Sequence, residues 1–320
     1  MIVRAGLAAF PYLSRRSEWR LAMTMLERVF HLDSTPETTA TILPLARRAA
    51  AATAGSEREL LDRGFLARLL GAAGRTDEAE AELRAVIAQA ADRGDFRTAS
   101  AGATDLINLL RDTGRLEPAL GVAEEAVEYA RRAGSGPWTQ LGDEGQRLQI
   151  LARLGRYAEV LHRVTELREE MREFPDPAGA DDSSTLVWNV RETILDVGRA
   201  AALGLDEWLQ ALDLNAERLR SKAARGATEF EMAQSRFNDY GPLLHLRRYD
   251  EVSQLLFECQ TVFQRENSVF GLSKLFSAMS DLADTRGQNT DARRFESIGL
   301  RFKYAVRDPK PAEPEPIGLV

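Results

Sequence analysis

Three histidines, one cysteine and two short acidic motifs are the residues of this 320-residue sequence whose types and spacing could support chemistry. His31, His162 and His245 stand alone. None belongs to an HExxH helix, and none has a second histidine or a cysteine at metal-ligand spacing. They are expected at the surface or at element boundaries. Cys259 falls at the position of a repeating pattern that elsewhere holds Val86, Ala126 and Leu167, which predicts a small buried core residue and not a nucleophile. A lone cysteine excludes an internal disulfide framework and is compatible with a reducing cytoplasm. The sequence has no Walker glycine loop, no dinucleotide fingerprint and no GxSxG elbow, so nucleotide hydrolysis and acyl transfer find no support.

The acidic motifs are Asp181-Asp182-Ser183-Ser184-Thr185 and Asn238-Asp239. In outline they suggest the paired magnesium sites of all-helical terpene synthases. Thr185 stands where the first motif needs its last acid, and Pro242 and Leu246 stand where the second needs a hydroxyl and an acid. An all-helical metal-dependent enzyme is therefore a remote alternative. The expectation is of a protein that is not an enzyme and carries no metal and no cofactor.

What would position any site is a repeat. A tight elbow returns at Gly74, Gly114, Gly155, Asp206, Arg247 and Gly287, with gaps of 40, 41, 51, 41 and 40 residues. Four residues before the elbows stand Leu70, Leu110, Leu151, Ala202, Leu243 and Ala283; five after them stand Ala79, Ala119, Val160, Ala211, Val252 and Ala292. All twelve are apolar. After Gly155, Tyr157, Val160, Leu161, Val164, Leu167 and Met171 recur at helical steps, with Glu159, Arg163, Glu166 and Glu170 on the other face. This is the pattern of an amphipathic helix. Each unit thus reads as a helical hairpin, its elbow a left-handed residue at a helix C-terminus and its small residues allowing close helix approach. Leu13, Ser17, Trp19 and Ala22 fit the same columns as a seventh, weaker hairpin. An additional helix is predicted from Pro36 to about Thr53, capped by Ser34 or Thr35 and kinked at Pro44.

The phrases Leu154-Gly155-Arg156-Tyr157-Ala158-Glu159-Val160, Leu246-Arg247-Arg248-Tyr249-Asp250-Glu251-Val252 and Ala73-Gly74-Arg75-Thr76-Asp77-Glu78-Ala79 resemble the tetratricopeptide repeat (TPR) family over residues 56 to 306. The resemblance is to its longer, about 40-residue variety, as in kinesin-light-chain-like and signalling-ATPase sensor repeats. It implies an all-α fold, a right-handed superhelix of about seven hairpins. The expected organisation is a solenoid over 1–307, with a weak hairpin and extra helix in 1–55, regular repeats in 56–174 and 185–306 joined by a loop at 175–184, and a disordered Pro/Glu-rich tail at 308–320. It also implies a concave wall formed by residues six and nine before each elbow. Here those are Asn108 and Asp105, Gln149 and Gln146, and Asp281 beside Ala278, with Asn238 nine before its elbow and Lys274 thirteen before the last. Amide side chains offer both donors and acceptors to an extended peptide backbone. The resemblance thus implies a protein or peptide partner and an adaptor role, or alternatively a ligand-sensing fragment that restrains a signalling ATPase or effector.

Composition agrees. The chain is 44% hydrophobic and 28% charged, with a net charge of −7 and no basic stripe of the kind that tracks phosphates, so nucleic acid is not expected. Lysine occurs only at 222, 274, 303 and 310, which points to the codon usage of a GC-rich, bacterial genome. Ala5 to Leu13 is interrupted by Pro11 and followed by Arg15-Arg16, which predicts an amphipathic first helix and not a secretory leader. No run approaches the roughly 18 apolar residues of a membrane span. A cytoplasmic location without membrane association is expected.

Overall fold

The computed structural model describes residues 2–174 and 187–307. The loop expected at 175–184, including Asp181-Asp182, and the tail at 308–320 lie outside the described residues. Among the described residues there are helices and turns and no strand.

The hairpins follow from the elbows. Ser17, Gly74, Gly114, Gly155, Asp206, Arg247 and Gly287 all have positive φ, between 57° and 78°. The backbone amide after the elbow returns to the carbonyl of the apolar residue four before it: Glu18 to Leu13 at 3.0 Å, Arg75 to Leu70 at 2.9 Å, Arg115 to Leu110 at 2.8 Å, Arg248 to Leu243 at 2.9 Å. This bond satisfies a helix-end carbonyl that would otherwise lack a donor. Both sequence columns are buried, from Leu13 and Ala22 to Ala283 and Ala292. A second set of left-handed turns, at Gly94, Gly134, Gly226 and Asn267, joins one hairpin to the next.

The chain divides into two compact units, one ending at Leu154 and the other beginning at Gly155. In the first, α1 (Ile2–Arg15) and α2 (Trp19–Leu32) form the N-terminal hairpin, and α3 (Pro36–Ala52) is the additional helix. Thr35 caps α3 by accepting from the Thr38 amide at 3.4 Å, with Pro36 in the first turn, and the helix is continuous through Pro44. Then come α4 (Glu59–Ala72), α5 (Thr76–Asp92), α6 (Phe96–Asp112), α7 (Leu116–Arg132) and α8 (Pro137–Arg153). Met23, Leu26, Ile42, Ala46, Phe65 and Leu69 build the core under α2 to α4.

The second unit holds α9 (Tyr157–Glu173), α10 (Val187–Gly204), α11 (Trp208–Ala224), α12 (Glu229–Arg236), a 3-10 turn (Phe237–Asp239), α13 (Tyr240–His245), α14 (Tyr249–Arg265), α15 (Val269–Thr285) and α16 (Asn289–Arg307). Its core gathers Leu243, Val252, Leu256, Cys259, Phe263, Leu275 and Phe276. No helix among the described residues is long and apolar enough to cross a membrane.

Candidate functional site

One hairpin departs from the pattern. The helix preceding the Arg247 elbow is broken into α12, the 3-10 turn and α13. Pro242 supplies the cause: it has no amide to return to the Asn238 carbonyl, and its ring crowds the preceding turn. Asn215 of α11, fully buried, braces the break by donating to the Ser235 carbonyl and to Asp239 Oδ1, both at 2.8 Å. Burial pushes the Asp239 carboxyl up to about 6, opposed by the Asn215 bond and by Arg199.

Beside the break lies a groove of about 660 Å³. Phe237, Asn238, Tyr240 and Pro242 form one wall; Phe270, Ser273, Lys274 and Ser277 of α15 form another; Arg199 of α10 and Lys303 of α16 complete it. Lys274 Nζ sits 4.4 Å from the centre of the Phe270 ring, held by the electron-rich aromatic face. Arg199 Nε donates to Asp196 Oδ1 at 2.9 Å, an oxygen that also accepts from Arg218. The Ser273 and Ser277 hydroxyls donate to the carbonyls of Gly299 and Ser273, at 3.1 and 3.2 Å. Burial pushes the Tyr240 phenol upward, reinforced by the nearby charge of Asp281. The groove therefore presents three cations, an amide and exposed aromatic surface, and among the described residues no carboxylate lines it.

The sequence matches no family model and no curated protein. Solved structures do match. The apo form of RapI aligns over 96% of this chain and 99% of its own, at 10% identity and a TM-score of 0.54. The TPR-like repeats of a kinesin light chain from Podosopora anserina align over 65% of this chain and 96% of theirs, at 14% identity and a TM-score of 0.49. BtubC from P. vanneervenii aligns over 92% and 97%, at 14% identity and a TM-score of 0.41. The chain folds as a TPR-like repeat array.

Within this TPR-like array the expected wall residues separate into two groups. Asn238 and Lys274 come from successive hairpins and line the same groove. Asp281 is exposed and is not among the groove's lining residues. The other four lie in the first unit, on α6 and α8, all half-buried. Asp105 forms an ion pair with Arg68 at 3.5 Å, and Arg68 also reaches Glu27; burial nonetheless pushes Asp105 up to about 6. Asn108 accepts from Arg111 at 2.8 Å. Gln146 Oε1 is buried without a hydrogen-bond partner among the described residues, and nearby Asp143, bonded to Ser100, is pushed by burial to about 6. Gln149 lies one turn further along α8. A second hollow of about 610 Å³, between Thr24, Glu27, His31, Phe65 and Arg68, contains none of the expected residues.

The residues with reactive side chains have structural positions. His31, His162 and His245 are exposed; His162 is 3.4 Å from Glu166, and His245 stacks on Trp208 with ring centres 4.0 Å apart. Cys259 is 1% exposed, its thiol pushed up to about 12 by burial first and by Glu258 and Asp239 after it. The sequence reasoning missed Arg199, Lys303, Phe270 and the bracing role of Asn215. Pro242 was the available signal, although Pro44 sits inside an unbroken α3, so a proline alone does not fix where a helix opens.

Proposed function

We propose that the chain is a non-catalytic binding module, working in the cytoplasm as an adaptor, whose second unit holds an extended peptide segment of a partner protein in the groove at Asn238 and Lys274. The observation that carries this reading is that these two residues, from different hairpins, share one groove with aromatic side chains and two further cations. An extended backbone needs donors and acceptors along its length, which the Asn238 side-chain amide supplies. Phe270, Phe237 and Tyr240 give apolar surface for alternate side chains. The non-catalytic reading rests on two reactive groups that are not among the groove's lining residues: Asp239 is tied to Asn215, and Cys259 is buried in the core with its proton retained.

The test is a peptide array of acidic, neutral and basic extended sequences probed with the full chain and with Asn238→Ala/Lys274→Ala. The proposal expects sequence-selective spots that the double variant loses. Spots retained by a folded double variant, or no selective spots at all, would contradict it.

A further inference from the structure

The groove's charge is out of keeping with the rest of the chain. The whole sequence carries −7, yet the groove is lined by Arg199, Lys274 and Lys303 without one carboxylate among the described lining residues. Arg199 is neutralised in part by Asp196, whereas Lys274 rests on Phe270 and, like Lys303, has no ion-pair partner among the described residues. Such a surface attracts an anionic occupant.

The sequence places one next to it. Lys303 is one turn of helix before Arg307, the last residue of α16, and the chain continues as Asp308-Pro309-Lys310-Pro311-Ala312-Glu313-Pro314-Glu315-Pro316. Because α15 and α16 run antiparallel about the Gly287 elbow, this end of α16 lies at the Phe270–Lys274 end of α15, beside the groove. The segment holds three acids against one lysine and four prolines. Proline-rich chain is pre-set in an extended form and docks on aromatic surface at little entropic cost, and Phe270, 60% exposed, supplies that surface.

We infer that the acidic, proline-rich segment 308–320 is an occupant of this groove in cis, competing with the partner peptide. The inference rests on the groove being the peptide-binding site. A tethered segment acts at a millimolar-range effective concentration, so even a weak contact masks the groove. A partner must then displace it, which makes the array selective for segments that bind more tightly than its own.

The experiment uses the 320-residue chain and a fluorescein-labelled synthetic peptide of the 308–320 sequence, followed by anisotropy. It compares the native sequence with Asp308→Lys/Glu313→Lys/Glu315→Lys, in which the segment's charge is reversed and the helices are untouched. The charge-reversed chain is expected to bind the labelled peptide about tenfold more tightly than the native chain. Adding Lys274→Glu/Lys303→Glu to it should abolish binding, with melting temperature as the folding control. Equal affinity for both chains would overturn occupancy in cis while leaving the groove as a peptide site. Absence of binding to either chain would overturn the inference, and the array result then decides the groove separately.

Discussion

Asn215 donates to Asp239 Oδ1 at 2.8 Å from a position with no exposed surface, and its second amide hydrogen goes to Ser235, one turn before. The pair brackets Asn238. One side of the break is thereby fixed from behind while the other faces the groove, so the geometry of the candidate site depends on a residue that does not line it.

Replacing Asn215 with Ala removes its donor from the Ser235 carbonyl and from the half-buried Asp239 carboxyl. Each such loss costs about 1–3 kcal/mol, so a destabilisation of about 2 kcal/mol or more is expected in urea unfolding. An unchanged midpoint would show that the break holds itself.

Small residues five past the elbow should tolerate no enlargement. Ala119 is fully buried, and Ala119→Leu is expected to cost about 1–3 kcal/mol by overpacking; Ala158, exposed on the neighbouring hairpin, should accept the same change with little effect. Thermal melts of the two variants decide this. Equal shifts would contradict the repeat register.

The elbow register was legible in the sequence because it rests on local backbone geometry: a left-handed residue, an apolar residue whose carbonyl accepts the closing bond, and a small residue at the helix crossing. Even the non-glycine elbows Ser17, Asp206 and Arg247 fell in line through their flanking columns. The turns at Gly94, Gly134 and Gly226 adopt the same left-handed conformation at the joins between hairpins. Asn238 and Lys274, expected from their offsets, line one groove. Asp281 was not separable from them, because an offset fixes a helix face but not how far along it a groove extends. Arg199 and Lys303 come from helices flanking the break, and their convergence depends on the tertiary packing of α10 and α16.

Arg247 at φ 58° occupies a conformation that costs a side-chain-bearing residue energy. Arg247→Gly should stabilise the protein by about 0.5–1 kcal/mol, whereas Gly114→Ala, at φ 75°, should destabilise it by about 1 kcal/mol or more. Chemical denaturation of both checks the signs; destabilisation by Arg247→Gly would contradict the account of the elbow.

Asp105, Asp143 and Asp239 are each held near 6 by burial, above their ordinary 3.8. Between these values the folded protein binds more protons than the unfolded chain, so their contribution is full below about pH 4 and is lost as pH rises through 6. Glu231 has the opposite sign: Arg225 holds it at about 2, so its contribution is present above 4.5 and lost as pH falls toward 2. Melting temperature should therefore rise from pH 7 to pH 5 and fall at lower pH. Asp143→Asn should shrink the rise, and a rise of undiminished size would remove Asp143 from the explanation.

The central claim is that Asn238 and Lys274 form the binding wall of the array. The most direct measurement is a calorimetric titration of the strongest array peptide into the full chain and into Asn238→Ala/Lys274→Ala. The account predicts a melting temperature nearly unaltered, because neither side chain belongs to the core, with affinity lowered about tenfold or more for two lost contacts of roughly 1 kcal/mol each. An unchanged dissociation constant in the stable double variant would contradict it and place binding elsewhere on the molecule.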